Sequence, residues 1–212
     1  TDARLMPPPT VRQLDAMSFT NELQKGLALL CHPNPEHGGT MLNKVVSTMQ
    51  RTARDMGLIT LRFNYRGTGN SAGEHDMKTG EVDDAEAALA WLMQKHPDLP
   101  VYLFGFSFGG YVVASLSLRL EQQGIQVAHQ CLVAPAVGRL QTANAIAQGG
   151  ALTVIQPEED EVIAAADVYA WAEALSRSCE LFKVAESGHF FHGKLVELKE
   201  ILVQQLATTI RI

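Results

Sequence analysis

The strongest chemical signal in the chain is a serine between two glycines. Residues 105–110 read GFSFGG, which contains the pattern G-x-S-x-G, between an apolar run at 101–106 and an amphipathic stretch at 108–122. A serine hydroxyl is a weak nucleophile, and it becomes reactive where a sharp strand-to-helix turn projects it towards a base and beside helix N-terminal amides. A glycine-rich turn with an incidental serine is the alternative, but this context favours catalysis. The sequence therefore predicts Ser107 as a nucleophile and the Phe108 N–H as an oxyanion donor.

Candidate partners for this serine occur downstream of it. Residues 157–161 read PEEDE after one apolar run, and residues 186–189 read ESGH after the next. Because parallel strands bring their carboxyl ends to one edge of a sheet, both segments are expected near the serine. The order serine, acid, histidine is one that serine hydrolases use, so His189 is predicted as the general base. Spacing alone does not choose the acid, because acids before a helix also serve as caps.

A second histidine, His192, follows His189 by three residues. We expect it inside the start of a helix, as a surface or capping residue, and we favour His189 as the base. No carboxylate stands at the spacing of a zinc-binding helix motif, so this pair is not predicted to hold a metal.

A second oxyanion donor is expected from the loop that follows the first buried strand. This loop, residues 32–39, reads HPNPEHGG. Pro33 and Pro35 have no N–H to donate, and both restrict the loop's conformational freedom. By elimination, the N–H of Asn34 is predicted as the second donor. An ordinary proline turn is the alternative.

The elements that must position these residues alternate along the chain, as strands and crossover helices of a parallel sheet do. A single domain spanning 1–212 is expected, with 1–25 as an N-terminal arm or edge strand, in which one strand is placed around Val11 to Ala16. No insertion is long enough for a separate lid. The predicted strands are 26–31, 59–64, 101–106, 130–134, 152–156 and 180–184, and the predicted helices are 42–55, 82–95, 108–122, 162–176 and 194–208.

Composition argues against several classes of function. The chain has 17 basic and 23 acidic residues, a net charge of −6 and no basic block, so no nucleic-acid partner is expected. Its apolar runs are far shorter than the roughly 20 residues that cross a bilayer, so no membrane partner is expected. Residues 1–10 lack a secretory pattern, which predicts a cytoplasmic protein. Cys31, Cys131 and Cys179 lie in apolar stretches and are expected as reduced thiols.

Several longer motifs together resemble those of a known family. The stretches HPNPEHGGTMLNKVV, LRFNYRGTGNSAGEHD, GEVDDAEAALAWL, GFSFGGYVVA and ESGHFFHGKL are similar to those of small, lidless bacterial α/β-hydrolases related to dienelactone hydrolases and prolyl-peptidase-like esterases. The resemblance runs from about Gly26 to the C-terminus. It implies the α/β-hydrolase fold: a mainly parallel, doubly wound sheet with helices on both faces, no cap domain and shortened N-terminal strands. It also implies a Ser-Asp-His triad, in which the sequence D-E-V at 160–162 assigns the acid to Asp160, beside Ser107 and His189.

The chain departs from the family's pattern at two places. The family often has a second histidine where this chain has Asn34, and a His-Gly pair where it has Gln156-Pro157. The oxyanion loop and the surroundings of the acid are therefore expected to differ. Residues 65–71, YRGTGNS, lack a P-loop lysine and are too short for a dinucleotide fingerprint, and the resemblance implies a structural loop.

These residues predict a serine hydrolase that cleaves small, short-acyl carboxylic esters through an acyl-enzyme, with no cofactor and no metal. A thioesterase or small-peptide hydrolase would use the same triad, and a non-catalytic binding protein could keep the same fold. A dienelactone-type enzyme is less favoured, because that chemistry resembles a cysteine-nucleophile variant and position 107 is serine. The partner expected is a small-molecule ester. Substrate-binding residues and oligomeric state are not predicted.

Overall fold

A seven-stranded sheet forms the centre of the molecule. The computed structural model describes residues 14–19 and 23–210. The strands follow one another across the sheet in the order β1-β3-β2-β4-β5-β6-β7. They are β1 (Ala16–Phe19), β2 (Gly26–Cys31), β3 (Leu58–Phe63), β4 (Val101–Phe106), β5 (Val127–Val133), β6 (Ala151–Pro157) and β7 (Glu180–Val184). The helices are α1 (Lys44–Asp55), α2 (Gly80–Lys95), α3 (Phe108–Gln122), α4 (Ala165–Glu173) and α5 (Leu195–Leu206), and two short 3₁₀ helices are η1 (Pro35–His37) and η2 (Val137–Arg139).

The sheet is parallel except at one edge, where β1 pairs with β3 in the antiparallel sense. One face is covered by α2, α3 and α4, and the other by α1 and α5. Successive residues of β2 point to opposite faces: Leu27 and Leu29 join one apolar core, and Ala28 and Leu30 join the other. Strands buried on both faces explain why the apolar runs do not alternate with polar residues. The predicted mainly parallel, doubly wound α/β sheet is confirmed.

The strands and helices predicted after residue 25 are present with ends shifted by up to three residues, and at two helix starts a side-chain hydrogen bond explains the shift. α1 begins at Lys44 instead of residue 42, because the side chain of Asn43 accepts the N–H of Val45 at 2.8 Å and acts as the N-cap. α4 begins at Ala165 instead of residue 162, because the carboxylate of Asp160 accepts the N–H groups of residues 162 and 163 and holds them in a turn.

The N-terminal edge strand lies later in the chain than predicted. Residues 11–13 of the predicted strand are outside the described residues, and β1 occupies Ala16–Phe19. Its pairing is fixed at the start, where the N–H of Asn64 donates to the carbonyl of Asp15 at 2.7 Å. No helix in the described part of the chain is long and apolar enough to cross a bilayer. A cytoplasmic location stays a prediction.

A buried histidine ties the C-terminal end of the chain to the sheet. His129 on β5 is 1% exposed. Its Nδ1 lies 2.9 Å from Oγ1 of Thr209, and its Nε2 lies 2.8 Å from Oγ1 of Thr153. Burial, together with the positive charge of Arg177, lowers the pKa of His129 to about 4. The folded protein therefore holds this imidazole neutral at a pH where the unfolded chain protonates it.

We expect acid to weaken the fold through His129. Because the pKa is lowered on folding, the stabilisation is fully present above the unfolded pKa near 6.5 and is lost as the pH falls towards 4. The loss between pH 7 and pH 5 should be roughly 2 kcal/mol from this group. Urea unfolding of the wild type and of His129→Gln at both pH values measures it. A variant with the full wild-type pH dependence would contradict the assignment.

Candidate active site

Ser107 occupies a strained turn between β4 and α3. Its backbone has φ 57° and ψ −117°, a region that residues other than glycine adopt at a cost of about 1–3 kcal/mol. The neighbouring strand holds the turn in place. The N–H of Ser107 donates to the carbonyl of Val133 at 2.9 Å, and the N–H of Ala136 donates to the carbonyl of Ser107 at 3.0 Å. This is the geometry that exposes a serine hydroxyl at the top of a strand.

The two glycines of the motif are required by close backbone contacts. A Cβ on Gly105 would lie 2.2 Å from the carbonyl oxygen of Gly109. A Cβ on Gly109 would lie 2.2 Å from the carbonyl oxygen of Cys31 and 2.9 Å from that of His32. The first turn of α3 therefore packs directly against the end of β2, which brings Ser107 next to the loop that follows β2.

His189 and Asp160 form a buried hydrogen-bonded pair. Nδ1 of His189 lies 2.8 Å from Oδ2 and 3.0 Å from Oδ1 of Asp160, and the two side chains are 2% and 0% exposed. Burial alone would raise the pKa of Asp160, but hydrogen bonds from His189 and from the N–H groups of Ile163 and Val162 outweigh it and lower that pKa. An ionised Asp160 requires a hydrogen on Nδ1, so Nε2 carries the free lone pair of the neutral imidazole.

Two side chains, Gln156 and Glu161, support this pair. The side chain of Gln156 donates to Oδ2 of Asp160 at 3.1 Å. Oε2 of Glu161 accepts the N–H of His189 at 2.9 Å and holds the loop that carries the histidine. Gln156 was already marked as a departure from the family, whereas nothing in the pattern distinguished Glu161 from its acidic neighbours.

The histidine lies over the residue that precedes the serine. The rings of Phe106 and His189 have centroids 5.0 Å apart and are tilted by 32°. Within residues 14–19 and 23–210, neither Oγ of Ser107 nor Nε2 of His189 has a hydrogen-bond partner. Such hydrogen bonds are often long in free enzymes and shorten when a substrate binds. The structure thus joins His189 to Asp160 and packs the His189 ring on Phe106, the residue before Ser107.

The two predicted oxyanion donors lie on two segments that touch at Gly109, the start of α3 and the loop after β2. Phe108 is the first residue of α3, where an N–H has no partner within the helix. Asn34 uses its side chain to accept the N–H of Glu36 at 2.9 Å and its carbonyl to accept that of Gly39 at 2.9 Å. In the described part of the chain the N–H of Asn34 has no acceptor. Both amides can therefore donate to a ligand.

His32 positions this loop, and the sequence analysis did not identify it. Its Nε2 accepts the N–H of Tyr65 at 3.1 Å, so its Nδ1 carries the hydrogen and donates to the carbonyl of Pro33 at 2.7 Å. The hydroxyl of Tyr65 donates to the carbonyl of His32 at 3.2 Å. Burial lowers the pKa of His32 to about 3, so the ring is neutral. A single tautomer therefore fixes the backbone just before Asn34.

The glycine-rich loop at 65–71 is held by hydrogen bonds within the protein. The guanidinium of Arg66 pairs with the buried carboxylate of Asp84 at 2.8 Å. The hydroxyl of Ser71 donates to the carbonyl of Asn64 at 2.7 Å. These contacts fasten the end of β3 to α2, as a structural loop would.

His192 lies outside the position predicted for it. We expected it inside the start of a helix, but α5 begins at Leu195 and His192 is in the exposed turn before it. Phe191 and Gly193 both have positive φ angles, 53° and 74°, which prevents the helix from starting earlier. The described residues contain no cluster of three histidine, cysteine or acidic side chains that could hold a metal ion.

The geometry agrees with what comparison with known families finds. Residues 24–156, more than half of the chain, match the family described as serine aminopeptidase, S33. The chain belongs to this family. It is a hydrolase family, so the coarse prediction of a hydrolase is confirmed.

Similar proteins extend this assignment along the chain. The uncharacterized protein RP471 of Rickettsia prowazekii (strain Madrid E) is 31% identical over 191 residues, which cover 86% of this chain and 79% of that protein. The structure of an alpha-beta serine hydrolase homologue from Coxiella burnetii is 35% identical, with a TM-score of 0.89 and 97% of each chain covered. XC6422 from Xanthomonas campestris, an α/β serine hydrolase without lid, is 33% identical, with a TM-score of 0.91 and 100% and 95% of the two chains covered. The predicted small, lidless α/β-hydrolase is confirmed.

The glycine contacts predict a sharp difference between two Gly→Ala variants. Gly109→Ala should lower the free energy of unfolding by about 3 kcal/mol or more. Its Cβ would clash with the backbone carbonyl of Cys31, which is held in β2. Gly138→Ala is the matched control, since its Cβ would have no atom within 4 Å, and it should change stability by less than about 0.5 kcal/mol. Urea unfolding measures both. Equal stabilities would show that the turn tolerates a side chain.

Proposed function

We propose that this hydrolase cleaves small, short-acyl carboxylic esters through an acyl-enzyme intermediate. The observation that carries the proposal is the strained turn at Ser107, which directly follows Phe106, the residue that packs against His189 of the buried His189–Asp160 pair. A strained backbone at Ser107 and a buried, ionised Asp160 bound to His189 each cost folding free energy. Their occurrence together at the carboxyl edge of the sheet supports catalysis over a passive binding role.

In the acylation step, Ser107 Oγ attacks the ester carbonyl carbon while His189 Nε2 takes the hydroxyl proton. Asp160 holds the imidazole in the tautomer that leaves Nε2 free, and it stabilises the imidazolium that forms. The carbonyl oxygen becomes an oxyanion, and the N–H groups of Phe108 and Asn34 donate to it. Each such donor contributes about 3 kcal/mol to lowering the barrier.

The tetrahedral intermediate then collapses. The bond to the leaving alcohol breaks, and His189 returns the proton to the alcohol oxygen, which leaves the acyl group on Ser107. A water molecule repeats the sequence: His189 removes its proton, the oxygen attacks the acyl carbon, and Ser107 departs with the proton returned. The cycle needs no cofactor and no metal.

The preference for small esters follows from the lidless fold. Without a cap domain, little apolar surface is available to cover a long acyl chain, and affinity for such chains depends on burial. Phe190, next to the histidine, is 40% exposed and offers a small apolar surface beside the reacting groups. A short acyl group can be covered there, whereas a long one would extend into water.

Peptide hydrolysis is the competing proposal, because the family to which the chain belongs is described as serine aminopeptidase. A thioesterase would use the same residues. These activities are separated by kcat/KM for a butyryl ester, a butyryl thioester and a butyryl anilide. We expect the ester to be hydrolysed most efficiently. A higher kcat/KM for the anilide, or for an aminoacyl anilide, would replace the ester proposal with the peptidase one.

The first test of the mechanism is covalent labelling with a fluorophosphonate probe. We expect mass spectrometry to find the probe on Ser107, because an activated serine attacks the phosphorus and the oxyanion donors hold the product. Ser107→Ala and His189→Ala should both abolish labelling. An unlabelled wild-type protein that is folded would support a non-catalytic role.

The acid of the triad is tested by a single-atom change. Asp160→Asn should lower kcat by roughly 10³–10⁴-fold for a p-nitrophenyl ester at neutral pH, because the amide favours the wrong tautomer of His189. Glu159→Gln is the control, since it removes a carboxylate from the adjacent position, where the side chain is exposed. Its kcat should change by less than about threefold. Similar losses in both variants would show that Asp160 is not the specific partner.

A further inference from the structure

We propose that the preferred ester carries a carboxylate, and that Arg139 binds it. This inference rests on the proposed function, because it names the class of substrate that the same site accepts. It makes Arg139 a specificity-determining residue.

Arg139 lies at the same edge of the sheet as the nucleophile. It ends η2, which follows β5, and the N–H of Ala136 just before η2 donates to the carbonyl of Ser107 at 3.0 Å. The guanidinium Cζ lies 5.0 Å from the centroid of the Phe108 ring, a cation–π contact. The cation therefore lies on the side chain of the residue whose amide is the proposed oxyanion donor.

Two hydrogen bonds hold the rim of the site, by which we mean Met77, Lys78, Tyr111 and Arg139. Nη1 of Arg139 donates to the carbonyl of Met77 at 3.2 Å, and the hydroxyl of Tyr111 donates to the carbonyl of Lys78 at 2.9 Å. The ring of Phe108 is itself packed, with the ring of Tyr111 at a centroid distance of 5.6 Å. Arg139 is exposed, so its other N–H groups can reach a ligand.

No carboxylate in the described part of the chain neutralises the charge of Arg139. Within residues 14–19 and 23–210 its guanidinium makes no ion pair, whereas Arg66 and Arg119 bind carboxylates at 2.8 and 2.7 Å. Asp76, next in sequence to the Met77 whose carbonyl Arg139 binds, accepts the N–H groups of Lys78 and Gly80. The amine of Lys78 likewise has no acidic partner in the described structure.

The chemistry of this rim selects one kind of ligand group. A guanidinium presents planar, paired N–H donors that match the two oxygens of a carboxylate. A fixed cation at the site attracts an anionic substrate even though the protein has a net charge of −6. The same cation repels the free ammonium group of an aminopeptidase substrate. The rim therefore fits an ester of a dicarboxylic acid or of a carboxylate-bearing alcohol.

The test compares matched charged and neutral esters. One pair is mono-p-nitrophenyl adipate and its methyl ester, with the charge in the acyl part. The other pair is p-carboxyphenyl butyrate and phenyl butyrate, with the charge in the leaving alcohol. The readout is the ratio of kcat/KM for the charged ester to that for the neutral one, measured at low ionic strength. We expect this ratio to exceed one in the wild type for at least one pair, and that pair locates the carboxylate.

Arg139→Gln should lower this ratio by about tenfold or more, because a charge-assisted hydrogen bond is lost. Arg139→Lys keeps the charge without the planar fork and should retain part of the preference. Arg51→Gln is the control for net charge, because it removes an exposed arginine on α1, and its ratio should equal that of the wild type.

A wild-type ratio of one or below for both pairs overturns the inference, as does a ratio that Arg139→Gln leaves unchanged. If Arg139 only packs on Phe108, Arg139→Gln lowers kcat/KM equally for the charged and the neutral ester, and the ratio stays unchanged. If Arg139→Gln does not fold, Arg139→Lys is the deciding variant. A ratio in Arg139→Lys equal to that of the wild type then counts against carboxylate binding. A protein that the fluorophosphonate probe does not label overturns the proposed function itself, so the two failures are distinguishable.

Discussion

The backbone of Ser107 is held in a conformation that the residue itself disfavours, and much of the site is arranged around that constraint. The carbonyl of Val133 and the N–H of Ala136 hold the turn from the neighbouring strand. Gly109 allows the helix that follows to touch the end of β2, where a Cβ would lie 2.2 Å from the carbonyl oxygen of Cys31. Because these backbones touch, the first amide of α3 and the loop after β2 face the same space.

The two histidines of this edge differ because their partners differ. His189 meets a buried carboxylate, so its Nδ1 carries the hydrogen and its Nε2 remains a base. His32 binds a backbone N–H and a backbone carbonyl. Burial lowers its pKa to about 3, so the ring stays neutral and supports the loop. The same side chain is thus suited to proton transfer in one position and to holding the oxyanion loop in the other.

The absence of a cap leaves selectivity to the rim of the site. With little apolar surface to cover a substrate, charges at the rim have a large share in recognition. An aromatic side chain, Phe190, lies beside His189. The guanidinium of Arg139, which has no carboxylate partner among residues 14–19 and 23–210, lies on the ring of Phe108, next in sequence to the nucleophile. We propose that this combination favours a small ester with an anionic end over a peptide with a free amino group.

The sequence by itself determined the strands after β1, the helices and the turn that carries Ser107, because apolar periodicity and glycine spacing act over a few residues. It also placed Asp160 and His189 at one edge of the sheet, although Asp160 was chosen among its acidic neighbours only through a family resemblance. The tertiary structure alone decided which side chains meet across the chain. His32 contacts Tyr65, Glu161 contacts His189, and Arg139 lies on Phe108. These pairs are far apart in sequence, and their distances depend on strand order and register, which no local pattern encodes.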